Sequence, residues 1–215
     1  MGVIERIGGC WIFDPLWVIW YSLCIYRLFS ALDELFQRPH ARFDARCFDP
    51  FSVGVTMDTV QLAQGEPAPK FSVTDHLGKQ HNLEEYMAQG TSVILYFYPK
   101  DSTPGCTTQA CDFRDNMARL EAEGYVVLGV SKDSERSHTN FVTKQDLNFP
   151  LLMDQDLVLH HLFGTWRLKK NYGKEYMGCA RSTFVIAPDG TLAWCRYNVK
   201  AKGHVDMLLR ELSVA

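Results

Sequence analysis

An excess of charge of either sign is missing from this chain. Its 22 Lys and Arg stand against 25 Asp and Glu, a formal net charge of −3. No basic run exceeds the pair Lys169 and Lys170, so the electrostatic footprint of a nucleic-acid binder is absent and no nucleic-acid partner is expected. Glycine and proline are sparse, 15 and 9 residues in 215, which excludes collagen-like and low-complexity chains. No G-x-G-x-x-G, Walker loop or Ser-His-Asp arrangement is present to suggest nucleotide binding or serine hydrolysis. Nor is there a C-x2-C pair for zinc: the nearest cysteines are spaced C-x4-C, and the adjacent His160 and His161 diverge by about 100° on a helix, so no metal is expected. Seven cysteines are an odd number without framework spacing, which argues against a disulfide-stapled secreted scaffold and for a reducing compartment such as the cytoplasm.

What is present is an ordinary globular composition, 47% hydrophobic and 22% charged, distributed in two unequal regions. Residues 1–56 hold five Arg and no Lys, three of the five Trp and 11 of the 27 aromatic residues. Their apolar stretch, residues 16–29, is interrupted by Arg27 and preceded by Asp14 and Pro15, leaving less than the roughly 20 residues of a membrane span. A secretory signal is also poor, because Glu5 offsets Arg6 and no small-x-small cleavage site follows. The segment reads as an uncertain N-terminal extension: a leader, an over-extended start, a membrane-associating element or a packed accessory. Residues 57–215 carry enough alternating apolar strands and amphipathic helices to form a domain alone.

Within that region the pattern predicts a small hairpin from 71–74 and 78–81, then a short helix at 83–88. Residues 92–98 (SVILYFY) form a near-continuous apolar and aromatic run, the mark of a central strand covered on both faces. Thr103 followed by Pro104 opens a helix to about Glu123, stopped by Gly124. A buried strand at 125–130, a helix capped by Asp133 or Ser134 and reaching Gln145, a short strand at 151–153 and a short helix at 157–163 follow. Residues 182–187 and 191–197, joined by Pro-Asp-Gly, make an antiparallel hairpin, and residues 203–212 a closing amphipathic helix. This order is that of an α/β thioredoxin-like domain, a mixed central sheet with helices on both faces.

The chemistry concentrates at residues 99–111, PKDSTPGCTTQAC. With Thr103 as N-cap, Cys106 lies in the first helical turn directly after a buried strand. There the sulfur meets unpaired backbone N–H groups and the positive end of the helix dipole, which favour thiolate over thiol. Thr103 adds a hydroxyl able to accept from a substrate O–H and to donate to sulfur or a leaving oxygen. Pro99, without an N–H, can wall the sulfur from water.

The pattern Pro99-x-x-x-Thr103-x-x-Cys106 matches the signature of the peroxiredoxins, and GCTTQACDFRD resembles the bacterioferritin comigratory protein subgroup, also called peroxiredoxin Q. The resemblance spans about 66–213, through APKFSVTDHLGK, ILYFYPKDSTPGC, GVSKDS, FPLLMD, YGKEYMG and RSTFVIAPDG. It implies that Cys106 is the peroxidatic nucleophile, supported by Thr103 and Pro99, and that Arg181 of the R-S-T-F segment hydrogen-bonds the peroxide and holds the thiolate. Residue chemistry agrees, since an arginine just ahead of a strand beside 92–98 could reach the site with a fixed, forked cation.

The resemblance also implies that Cys111 resolves Cys106 as an intramolecular disulfide. In an intact helix such an i, i+5 pair has Cα atoms roughly 8–9 Å apart and directions about 140° apart, so the helix start must unwind. The alternative is that Cys111 is a core thiol and another cysteine or chain resolves. Cys179 and Cys195 read as core or edge residues, and Cys10, Cys24 and Cys47 belong to the extension.

The expected activity is therefore a thiol peroxidase acting on hydrogen peroxide and organic hydroperoxides. By resemblance it is re-reduced by a thioredoxin-type protein; no haem, flavin or metal is needed, and a monomer is expected. The alternative is a peroxide-sensing redox switch or binding module with little turnover. A thioredoxin-like exchanger is disfavoured because it would present C-x-x-C at this helix start.

Overall fold

A computed structural model of the chain describes residues 60–171 and 173–212, with the backbone alone at Asn171. The extension at 1–56, its apolar stretch and Cys10, Cys24 and Cys47 lie outside the described residues. Among the described residues no helix is long and apolar enough to cross a membrane.

The hairpin strands β1 (Ser72–Thr74) and β2 (Gln80–Asn82) pair antiparallel apart from the main sheet. Helix α1 (Leu83–Ala88) starts where the Asn82 side chain accepts from the Glu84 N–H. Strand β3 (Ser92–Phe97), helix α2 (Pro104–Ala122), strand β4 (Tyr125–Ser131), helix α3 (Glu135–Gln145) and strand β5 (Leu151–Met153) follow in the expected order. Ser134 is the N-cap of α3. The carboxylate of Asp133 turns away to accept from Ser131 and from the Asp101 N–H. Helix α4 is shorter than its apolar pattern suggests, Val158–Leu162. Asp154 sets its start by accepting from the N–H groups of Leu159 and His160 at 3.1 and 2.8 Å.

The residue pattern does not signal the next hairpin, β6 (Trp166–Asn171) against β7 (Lys174–Cys179). Its sequence, WRLKKN and KEYMGC, mixes lysines with apolar residues on a ribbon whose Leu168, Tyr176 and Met177 stand in solvent. Backbone pairing through the turn at Gly173, φ +77°, fixes these strands instead of burial of one face. Strands β8 (Ser182–Ile186) and β9 (Leu192–Arg196) and helix α5 (His204–Leu212) complete the domain.

The main sheet runs β5-β4-β3-β8-β9. β3 is central, parallel to β4 and antiparallel to β8, and its residues alternate between two cores. Ile94, Tyr96 and Tyr98 pack with Phe113, Met117 and Leu120 of α2, Phe141 of α3 and Leu208 of α5. Val93, Leu95 and Phe97 pack with Leu83 of α1 and with Leu159 and Phe163 at α4. Period-two alternation on a doubly covered strand accounts for the unbroken apolar run. It also aims the end of β3 at the start of α2.

Gly129 on β4 marks how tightly that junction is packed. A Cβ there would lie 2.7 Å from Leu151 Cδ2 and 2.9 Å from the Tyr96 ring. Gly129→Ala is therefore expected to destabilise the domain by about 1–3 kcal/mol through overpacking. The measurement is a urea midpoint, which should fall with an unchanged m-value; an unmoved midpoint would contradict this packing.

Candidate active site

Cys106 occupies the first turn of α2, as the sequence indicates, and is 2% exposed among Tyr96, Tyr98 and Phe113. Thr103 is the N-cap by backbone geometry, with its carbonyl accepting from the Thr107 N–H at 2.9 Å. Its side chain differs from the expectation of a capping hydroxyl. It makes no cap bond and donates to the Lys100 carbonyl at 3.2 Å. That bond uses the hydroxyl proton and leaves the oxygen lone pairs free to accept from an incoming O–H. Pro99 is half-buried directly after β3.

Arg181 immediately precedes β8, whose Ser182 is in register with Phe97 at the end of β3. This pairing carries the guanidinium to the sulfur: Arg181 Nη2 donates to Cys106 Sγ at 3.2 Å, and Nη1 donates to Gln109 Oε1. The fork thus joins the thiol to a side chain one helical turn further on. Gln109 is fully buried, and its Nε2 reaches His204 Nδ1 of α5 at 3.3 Å. Gln109 and His204 were not evident from the sequence, where a glutamine and a histidine 95 residues apart carry no spacing signal.

A second network holds the loop ahead of Thr103. Asp101 is buried and accepts from Tyr98 at 2.8 Å and from Ser137 at 2.7 Å, with His138 Nδ1 at 3.0 Å. Burial alone would raise its carboxyl, but the bonds from His138, Ser137 and Tyr98 outweigh it and hold the group below its ordinary value. Burial keeps the Tyr96 and Tyr98 hydroxyls protonated, far above their usual range. The wall around the sulfur is therefore neutral, with Arg181 the cation that touches it.

Cys111 lies on the same unbroken helix and points elsewhere: its thiol donates to Gln145 Oε1 at the end of α3 across 3.8 Å. The two cysteines are free thiols with separate partners. Cys179 is buried at the end of β7, and burial pushes its thiol up to about 12, so it is almost wholly un-ionised at neutral pH. Burial also raises Cys195 on β9. Both are structural by position, as expected.

An α/β sheet with a cysteine at the first turn of the helix after its central strand, and an arginine on that sulfur from a neighbouring strand, defines a thioredoxin-like domain built for thiol redox chemistry. The model of the AhpC/TSA family matches residues 64–195, and the chain belongs to that family. It is 45% identical to peroxiredoxin Bcp of Bacillus subtilis over 148 residues, 69% of this chain and 93% of that one. Peroxiredoxin Bcp of Escherichia coli is 44% identical over 151 residues, covering 70% of this chain and 96% of the other. Among solved structures, the bacterioferritin comigratory protein of Xanthomonas campestris, described for alkyl peroxide reduction, superposes with a TM-score of 0.63 at 39% identity. That match covers 67% of this chain and 90% of the other.

The forked contact makes one substitution decisive. Lysine at position 181 keeps the charge but replaces the rigid two-nitrogen fork on Cys106 and Gln109 by a single nitrogen on a flexible stem. Loss of one charge-assisted hydrogen bond, about 1.5–3 kcal/mol, should slow the reaction of Cys106 with peroxide by about 10- to 150-fold in Arg181→Lys. Stopped-flow single-turnover kinetics measures this, and a rate within twofold of the parent would contradict it.

Proposed function

We propose that the chain is a thiol peroxidase reducing hydrogen peroxide and organic hydroperoxides, with Cys106 as nucleophile and Cys111 as resolving residue. The observation that carries this reading is the Arg181 guanidinium 3.2 Å from a sulfur held at the N-terminus of α2. The Cys106 thiolate attacks the terminal oxygen of ROOH, forming S–O while O–O breaks. RO⁻ departs and takes a proton, leaving Cys106 as sulfenic acid. Arg181 stabilises charge passing from sulfur to the leaving oxygen, and the Thr103 hydroxyl accepts the peroxide O–H in the approach. Pro99 limits water on that side.

Resolution requires movement. For Cys111 to reach the sulfenic acid, its contact with Gln145 must break and the first turn of α2 must open, releasing the Thr107–Thr103 bond. Cys111 sulfur then displaces hydroxide from Cys106 as water, forming the disulfide. A dithiol reductant of the thioredoxin type, which the relatives' chemistry supports, restores both thiols by exchange. Every group in this cycle belongs to one chain, which supports action as a monomer, and free thiols suit a reducing compartment such as the cytoplasm.

The expected test is a pair of variants. Cys106→Ser should abolish turnover, since an alcohol is hardly ionised at neutral pH. Cys111→Ser should consume one equivalent of peroxide and then accumulate sulfenic acid, seen as strong dimedone labelling of Cys106. Sustained thioredoxin-coupled turnover in Cys111→Ser at the parent rate would remove Cys111 from the resolving role.

The same reading assigns no chemical role to the extension. A chain of residues 57–215 retains Pro99, Thr103, Cys106, Cys111 and Arg181. It also retains the segment where the Leu62 N–H donates to Tyr197 and Arg167 donates to the Val60 carbonyl. Its melting temperature and peroxide turnover should equal those of the full chain. If Trp and Phe side chains of the extension were buried on the domain, at about 1.5–3 kcal/mol each, truncation would lower the melting temperature clearly.

A further inference from the structure

A second polar feature lies beside the peroxide site and has no part in the chemistry above. The loop leading into α5 passes close to the start of α2: a Cβ on Gly105 would lie 3.5 Å from Ala201 Cβ, and the Val199 N–H donates to the Arg181 carbonyl at 2.9 Å. Beyond this loop opens a cleft of about 390 Å³, rimmed by Arg196, Lys200, Lys202 and Arg210 and lined also by His204. All four cations are exposed. Lys200, Lys202 and Arg210 form no ion pair among the described residues. Arg196 is shared, with one terminal nitrogen on Glu211 at 3.4 Å and the other on Met207 Sδ at 2.7 Å. The other nearby acid, Asp206, is exposed and bears on Asp112 of α2. No carboxylate lines the cleft among the described residues.

His204 gives the cleft its direction. The ring is 2% exposed and its Nε2 has no hydrogen-bond partner. Its proton can be placed by elimination. Arg181 only donates, so it must face Gln109 Oε1; Gln109 Nε2 then donates to His204 Nδ1, which must be the unprotonated nitrogen. Burial and the charges of Arg181 and Arg196 lower His204 to about 4, so the ring is neutral at physiological pH and carries its proton on Nε2. A buried N–H donor without an acceptor is destabilising unless something accepts from it. The first-turn N–H groups of α5 precede its first backbone bond, from the Met207 N–H to the Gly203 carbonyl, and add positive potential at the same end.

We propose that this cleft is a binding site for a phosphate-class oxyanion. A small displacement of the buried His204 ring uncovers Nε2–H to donate to one oxygen, and Lys200, Lys202 and Arg210 surround the remainder, with the Arg196 charge beside them. Four cations against one shared carboxylate favour a dianion over a monoanion. The phosphate could belong to the free inorganic ion or to a phosphate ester. The proposal goes beyond the peroxidase reading and does not depend on it.

The test is a titration of the full-length reduced protein with inorganic phosphate, and separately with glycerol phosphate. Ionic strength is held with chloride, and the His204 ring is followed by nitrogen-15 NMR. A saturable shift of the Nε2 resonance by either probe, absent with chloride alone, is the expected result. Binding of inorganic phosphate assigns the free ion as sufficient, and binding of glycerol phosphate alone assigns an ester. The exposed pair Lys200→Ala with Lys202→Ala should bind at least tenfold more weakly while keeping parent peroxide turnover in chloride. No saturable shift with either probe up to tens of millimolar, or undiminished affinity in the double variant, would overturn the proposal.

Discussion

In the proposed reaction the Cys106 sulfur must be ionised, yet it sits 2% exposed among aromatic side chains and so needs a cation fixed beside it. Arg181 meets that requirement, and much of the local architecture follows from keeping it in place. Its backbone is set by β8 pairing with the central strand, register Phe97 to Ser182. Its second nitrogen is tied to Gln109, which is tied in turn to His204 on the last helix. The wall opposite is neutral because burial keeps Tyr96 and Tyr98 protonated. In such a low-dielectric setting a charge already positioned before the reaction is worth more than one that must reorganise.

The same order creates a conflict that the reaction cycle has to resolve. The helix that presents Cys106 to Arg181 carries Cys111 on a different face, against Gln145. In the proposed cycle peroxide reduction needs α2 intact, because its N-terminus supplies the backbone donors near the sulfur. Disulfide formation needs that turn open. The bonds that must yield include the Thr107–Thr103 backbone bond, the Thr108 hydroxyl on the Pro104 carbonyl, the Arg181 contact and the long Cys111–Gln145 bond. The loop immediately before it is held by Tyr98, Ser137 and His138 converging on Asp101.

Much of this was legible in the residues. The continuous apolar run of β3, the Thr-Pro start of α2 and the Pro-Asp-Gly turn each carry a local physical reason, and each element forms where that reason puts it. The candidate residues Pro99, Thr103, Cys106 and Arg181 come together at one end of the central strand, and Cys111 follows on the same helix. The hairpin β6–β7 was not legible, because lysine-rich strands held by backbone pairing leave no period in the side chains. Gln109 and His204 escaped for a related reason: their importance lies in a hydrogen bond across 95 residues. The side chain of Thr103 donates to the Lys100 carbonyl and leaves the N–H groups of Gly105 and Cys106 without a side-chain cap, an orientation that the residue pattern does not signal.

The most direct test of the account is peptide mapping by mass spectrometry, without reduction, of the full chain after one equivalent of hydrogen peroxide. The account predicts a Cys106–Cys111 disulfide within one chain, with Cys179 and Cys195 still free thiols. Cys106 joined to Cys179, to Cys195 or to a second chain, with Cys111 left free, would contradict it.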